Sequence, residues 1–231
     1  MAERQQSTGA APTYIPALRW RSLTPAFDLV VRATTRERVF KPRLLHQANV
    51  VAGEAVLEIG AGTATLAIAL KERCPGAKVT GLDADPDVLE QARRKVAGSG
   101  CDVELVEGFS TALPFPDGHF DTVLSSLFFH HLSGVDKRRT VAEIARVLKP
   151  GGELHVADFG RPANGFMAVL FRVVRAFDGL EVTAENARGA LPELFRDGGL
   201  EGAELCQELS TPLGTLALYR AGKPSYGAAT D

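Results

Sequence analysis

Apolar positions along the chain fall into two alternating kinds of run. Short segments with few polar breaks at 55–59, 78–83, 102–106, 120–125 and 153–158 predict buried strands. Between them, apolar residues recur at three- and four-residue spacing over 63–72, 86–97 and 136–148, which predicts helices of ten residues or more. Asp85 is placed to cap the second of these helices, with Pro86 in its first turn. The third stops before Lys149-Pro150-Gly151-Gly152, which predicts a turn. Strands alternating with helices in this way argue for βαβ units and a parallel sheet. The ending differs. Runs at 201–209 and 214–220 flank Thr211-Pro212-Leu213 with no room for a helix, so they should pair antiparallel at a sheet edge. That makes seven strands. Between 158 and this hairpin lies an insertion of about 40 residues, with expected helices at 165–177 and 189–196.

The N-terminal part is read separately. Residues 1–12 mix small and polar types and are expected to form a flexible tail, as are residues 223–231. Residues 13–50 are expected to form a helical cap. Thr24 and Pro25 would start one helix bearing Phe27, Val30, Val31 and Ala33, and a second would span 36–48. The main domain is expected over 51–222, with its insertion at about 160–198. Residues 1–50 carry eight Lys/Arg against three Asp/Glu, although the whole chain has a formal net charge of −2. A basic arm of this kind suits an anionic membrane surface, an anionic substrate or simply a solvated helix face. The bulk charge excludes a strongly basic nucleic-acid binder. Cys74, Cys101 and Cys206 form no metal or disulfide spacing, no run reaches the ~20 apolar residues of a membrane span, and a reducing cytoplasm is the expected home.

The strongest chemical signal is Glu58-Ile59-Gly60-Ala61-Gly62-Thr63, where a predicted strand meets a glycine turn and a helix follows. Glycines belong where a ligand must approach the backbone closely. Asp83, 21 positions after Gly62 at the end of the next strand, offers a carboxylate to a ribose diol. Together these describe a nucleoside-binding crevice. A dinucleotide site would favour Gly or Ala five positions after Gly60, where this chain has Thr65.

The motif resembles motif I of the class I S-adenosylmethionine-dependent methyltransferases, and the resemblance continues. Gly81-Leu82-Asp83-Ala84-Asp85-Pro86, the stretch from Leu113 to Asp121, Ser125 to Leu132, and Arg146 to Gly152 are similar to that family's later motifs in order and spacing. The match covers about residues 50–220 and is most similar in style to the ubiquinone/menaquinone-biosynthesis methyltransferases. It implies a Rossmann-like α/β fold, a doubly wound seven-stranded sheet closed by an antiparallel C-terminal hairpin, and S-adenosylmethionine as cofactor. It also implies roles. Glu58, Gly60, Ala61 and Gly62 would hold the methionine end. Asp83 would grip the ribose, Ala84 would lie on the adenine, and Ser126 would face the cofactor. Two residues depart from the pattern. Phe109 stands where the family often has Asp, so Phe109 would stack while Ser110 or a backbone carbonyl reads the adenine amine. Phe27 replaces the family's Tyr and is expected near the substrate.

Methyl transfer needs alignment, exclusion of water and sometimes a base. His130 and His131 are the candidate bases, Asp158 a third candidate, and Arg161 a candidate for holding an anionic acceptor. His46, His119 and His155 read as structural. The apolar helix at 165–177 fits a lid, a core helix, a dimer face or a membrane contact. The expected function is methylation of a small apolar or amphipathic acceptor, with a lipid-like or peripheral-membrane substrate as one form. No nucleic acid and no metal is expected, and the oligomeric state is left open. A degenerate methyltransferase serving as a regulatory binding module, or a nicotinamide-dependent reductase, are the alternatives.

Overall fold

The computed structural model describes residues 36–178 and 183–225. The expected N-terminal tail, residues 226–231 of the C-terminal one, the helix bearing Phe27, Val30 and Val31, and Phe27 as a substrate residue lie outside the described residues. The tail expected from 223 is corrected at its start: the Lys223 amide donates to Gly152 O at 2.8 Å and its Nζ to Leu148 O at 2.7 Å, which ties it to β5. Seven strands form one sheet: β1 (Ala55–Ile59), β2 (Lys78–Asp83), β3 (Val103–Glu107), β4 (Phe120–Ser126), β5 (Leu148–Phe159), β6 (Glu201–Thr211) and β7 (Gly214–Gly222). They stand in the order β3-β2-β1-β4-β5-β7-β6. The first five are parallel, and β7 runs antiparallel to both β5 and β6. The chain therefore winds outward from β1 to one edge, returns, and winds from β4 to the other. The reversal lies between β1 and β4, and such a switch point opens a crevice at the carboxyl ends of the strands.

Side-chain alternation sends each strand into two cores. In β1, Val56 packs among Phe40 and Leu44 of α1 (Glu37–Ala48), with Leu66 of α2 (Thr65–Arg73) and Ala92 of α3 (Pro86–Ser99). Leu57 and Ile59 face the other side, where Ile144 and Val147 of α4 (Gly134–Val147) and Phe195 of α7 (Leu191–Asp197) cover the sheet. Burial on both faces explains why the parallel strands read as continuous apolar runs. Phe40 is fully buried, and its truncation to Ala would cost roughly 3–5 kcal/mol. The expected cap on α3 forms: Asp85 accepts from the Asp87 and Val88 amides at 2.9 and 3.3 Å, and Gly100 ends the helix at φ 68°.

Two local expectations are corrected. The turn expected at 149–152 is a bulge within β5: Phe120 pairs with Leu148 and Thr122 with Glu153, so four residues face Asp121 alone. Lys149 Nζ closes the bulge on both Asp121 oxygens at 2.8 and 2.7 Å. The helix expected at 189–196 begins later, at Leu191, and is preceded by a separate α6 (Ala184–Arg188). Gly189, at φ 73°, is the left-handed residue that terminates α6 rather than the start of a helix. The other insertion helix, α5 (Gly165–Asp178), buries Phe171 against Phe159 and leaves Phe166 and Val169 exposed.

Candidate functional site

At the end of β1 the chain turns sharply. The Gly60 and Ala61 amides both donate to Leu82 O, at 2.9 and 3.0 Å, and Gly60, Gly62 and Ala64 all have positive φ. The two glycines serve different needs. A Cβ on Gly60 would lie 2.4 Å from Phe128 Cδ2, so Gly60 is small because an aromatic ring packs on it. A Cβ on Gly62 would meet no atom within 4 Å among the described residues beyond its chain neighbours, so the space beside Gly62 is open there. Asp83 Oδ2 accepts from the Gly62 amide at 2.8 Å, and its Oδ1 accepts from the Asp85 amide at 3.0 Å. The carboxylate thus shapes the glycine turn as well as facing it. Burial raises the Asp83 carboxyl above its ordinary range, and the two amides oppose that rise. Glu58, nearly fully buried, accepts at Oε2 from the Ala67 amide at 2.9 Å, one of the free N–H groups in the first turn of α2. Burial pushes its carboxyl up to about 8, with Lys41 acting against the shift.

The remaining cofactor candidates line the same edge unevenly. Ala61 is buried under Gly81, and Ala84 and Ser126 are half-buried at the ends of β2 and β4. The Gly108 amide donates to Asp83 O at 3.0 Å, which brings the Phe109 loop beside Asp83 with the Phe109 ring exposed. Ser110 turns the other way. Its hydroxyl is buried and lies 2.8 Å from Thr140 Oγ1 on α4, so it does not face Asp83. An adenosine with a cationic methionine end fits what remains: an open cradle at Gly62, a carboxylate on the next strand and an exposed ring beyond it.

The second half of the site joins the ends of β4 and β5. Asp158 is fully buried and receives five donors. The His130 ring Nδ1 lies 2.8 Å from Oδ1, with the Phe159 amide at 2.7 Å and Asn186 Nδ2 at 3.3 Å. The Phe128 and His130 amides reach Oδ2 at 3.0 and 3.4 Å. Burial would raise this carboxyl, but the His130 ring and the amides outweigh it and hold Asp158 below the ordinary carboxylate range. An anionic Asp158 is an acceptor only, so the proton between the two groups belongs to His130 Nδ1. With its oxygens occupied, Asp158 orients His130 rather than taking protons itself. The His131 ring, half-buried, tilts against the His130 ring with centroids 3.9 Å apart. Phe128 precedes this turn and packs on Gly60, so the histidine pair and the glycine turn are neighbours.

Arg161 is exposed and its Cβ faces the Gly189 turn. His155 is buried between Gln47 Nε2 and Glu153 Oε2, both at 3.1 Å, and burial lowers its pKa while Glu153 opposes the shift. It fastens α1 to β5. Sequence reasoning missed three residues on the far side of Asp158. Asn186 donates to Asp158 Oδ1 and, at 3.0 Å, to Phe159 O. Lys137, fully buried, sits 3.3 Å from Glu185 Oε2. Asn186 and Glu185 adjoin Gly189, whose stop signal was the one available clue to a separate α6.

A sequence profile of the family described as "Methyltransferase domain" matches residues 56–152. A demethylmenaquinone methyltransferase of Thermus thermophilus is 37% identical over 153 residues, 65% of this chain and 69% of the relative. One from Deinococcus radiodurans is 33% identical over 154 residues, 66% of this chain and 63% of the relative. Among solved structures, the YcgJ protein of Bacillus subtilis superposes with a TM-score of 0.66 at 21% identity, covering 81% of this chain and 98% of its own. A [4+2]-cyclase, SpnF, superposes at 0.65 with 21% identity, covering 81% and 80%. A fold shared with a cyclase does not by itself choose the reaction.

Proposed function

Because the chain belongs to the class I S-adenosylmethionine-dependent methyltransferases of the ubiquinone/menaquinone-biosynthesis type, we propose that it methylates a ring carbon of a reduced, quinone-type acceptor, with His130 as the base. The observation that carries this reading is the buried His130–Asp158 pair beside the glycine turn. Bound S-adenosylmethionine supplies an electrophilic methyl group on a sulfonium. In this reading Gly62 leaves room for it, Asp83 accepts from its ribose hydroxyls, and the buried carboxyl of Glu58 lies at its methionine end. Ala61, Ala84, Phe109 and Ser126 complete the lining.

A quinone ring is electron-poor, whereas a quinol hydroxyl can be deprotonated to make the adjacent ring carbon nucleophilic. His130 Nε2 takes that hydroxyl proton, because Nδ1 is held by Asp158. The ring carbon would accept the methyl group that the bound cofactor supplies, the electron pair of the broken carbon–sulfur bond staying on sulfur. His130 would first pass the hydroxyl proton to water and then, neutral again, take the ring hydrogen as a proton, which restores the aromatic ring. Asp158 keeps the imidazole oriented and stabilises the imidazolium. His131 packs beside it, and Arg161 contacts the acceptor from the rim. Supporting the choice of acceptor are the demethylmenaquinone methyltransferases among the relatives and the apolar surface of α5, which suits a lipid-like tail.

The test is incubation of the full chain with S-adenosylmethionine and a short-chain 2-prenyl-1,4-naphthoquinone, with and without dithionite, followed by mass spectrometry. A product heavier by one methylene, formed only with the reductant and lost in His130→Gln, is expected. Turnover of the oxidised ring at the same rate would overturn the reading.

A further inference from the structure

Lys137 is the fourth residue of α4, and its side chain is fully buried. An ammonium there is disfavoured twice, by loss of water and by the positive end of the helix dipole. A charge kept at such a position asks for a purpose beyond packing. Lys137 Nζ lies 3.3 Å from Glu185 Oε2. The next residue, Asn186, is 3.3 Å from Asp158 Oδ1, the same oxygen that holds His130. Two carboxylates and one ammonium are thus gathered behind the proposed base. Burial lowers the Lys137 pKa, while Glu185 and then Asp158 pull it back up.

We propose that Lys137 is a positioning residue that keeps His130 in its neutral, proton-accepting form by balancing the negative charge of Asp158. The proposal rests on the reading of His130 as the base. A buried aspartate beside an imidazole stabilises the imidazolium, and a histidine that rests protonated cannot accept a proton. A positive charge on the other side of Asp158 offsets that pull. Glu185, anchored on α6, keeps the ammonium in place. Among the described residues, other charged or titratable groups around the cluster include His131 against the His130 ring, Tyr219 near Asp158, Arg188 near Lys137, and Arg138 at 3.7 Å from Glu185 Oε1. His131 is a second imidazole packed on the first, so the two histidine signals must be assigned separately.

The test is an NMR titration of the histidine Cε1–H signals of the full chain, with His130 assigned by the signal lost in His130→Gln. Lys137→Met should raise the His130 midpoint by about one pH unit. Glu185→Gln, a change at a half-buried site that folding should tolerate, should lower it. The double variant removes one charge of each sign and should return the midpoint close to wild type. On the reduced naphthoquinone probe, Lys137→Met should lose about three- to fivefold in rate near pH 6.5 and recover by pH 9. A His130 midpoint unmoved in both single variants overturns the proposal, as does a double variant shifted as far as Lys137→Met. The titration needs no turnover. An unchanged rate in His130→Gln would therefore remove His130 as the base, and is told apart from a midpoint that ignores Lys137.

Discussion

The two glycines of the β1 turn make a paired test of where the cofactor lies. Each is replaced by alanine. Both positions hold positive φ, which costs a residue with a Cβ roughly 1–2 kcal/mol, partly offset by ~0.4–1 kcal/mol of lost chain entropy in the unfolded state. At Gly62 nothing else is added among the described residues, because beyond its chain neighbours the new methyl meets none of their atoms within 4 Å. At Gly60 the methyl would lie 2.4 Å from the Phe128 ring, and overpacking adds roughly 1–3 kcal/mol. Gly62→Ala should therefore melt only a few degrees below wild type, at about 2–4 °C per kcal/mol for a chain of this size, and Gly60→Ala clearly lower. Cofactor affinity should not follow stability. Gly62→Ala fills the open cradle and should weaken S-adenosylmethionine binding by about tenfold or more, a loss of roughly 1.4 kcal/mol or above, read by calorimetry. Gly60→Ala displaces Phe128 and with it the His130 turn, so its turnover should fall even at saturating cofactor. A Gly62→Ala protein that binds S-adenosylmethionine like wild type would refute the placement of the cofactor beside that glycine.

Two further perturbations test the carboxylates. Asp83→Asn keeps the shape but loses the charge, and its amide nitrogen must face either the Gly62 or the Asp85 N–H; cofactor affinity should drop about tenfold to a hundredfold in a calorimeter, with a modest loss of melting temperature, and unchanged affinity would remove Asp83 from the ribose. Glu58 has a folded pKa of about 8, above its ordinary 4.5, so its contribution to stability is complete below pH 4.5 and is lost as pH rises through 8. Glu58→Gln cannot ionise and should show a flatter decline in urea midpoint between pH 5 and 9, and equal slopes for the two proteins would argue that Glu58 is not held protonated.

Local signals carried much of the architecture. The apolar runs of β1, β2 and β4 are strands because parallel strands are buried on both faces. Asp85 and Pro86 start α3 because a carboxylate and a fixed φ suit a helix N-terminus wherever the rest of the chain lies. Gly60, Gly62 and Asp83 were legible for the same reason: their spacing spans one turn and one βαβ step. Local reading failed where partners are remote. Lys149-Pro150-Gly151-Gly152 carries turn chemistry, but pairing with β4 draws it into a strand as a bulge. Ser110 is polar and follows the Phe109 position, but Thr140 on α4 claims its hydroxyl.

The order and type of most elements, the glycine turn with its carboxylates, and the family to which these motifs belong are legible in the chain alone. Those features depend on backbone preference and on spacings of a few residues to one βαβ unit. Packing across the sheet selects which histidine is held by Asp158, which is tied into α1, and sets Lys137 and Asn186 behind the pair. His130 lies in the turn after β4 and His155 inside β5. Their roles diverge because β5 brings Asp158 to one and α1 brings Gln47 to the other. Lys137 carries no local signal, and becomes a buried cation only when the insertion folds Glu185 over it. Contacts across 28 or more residues depend on how loops and bulges close, and no short-range pattern records that.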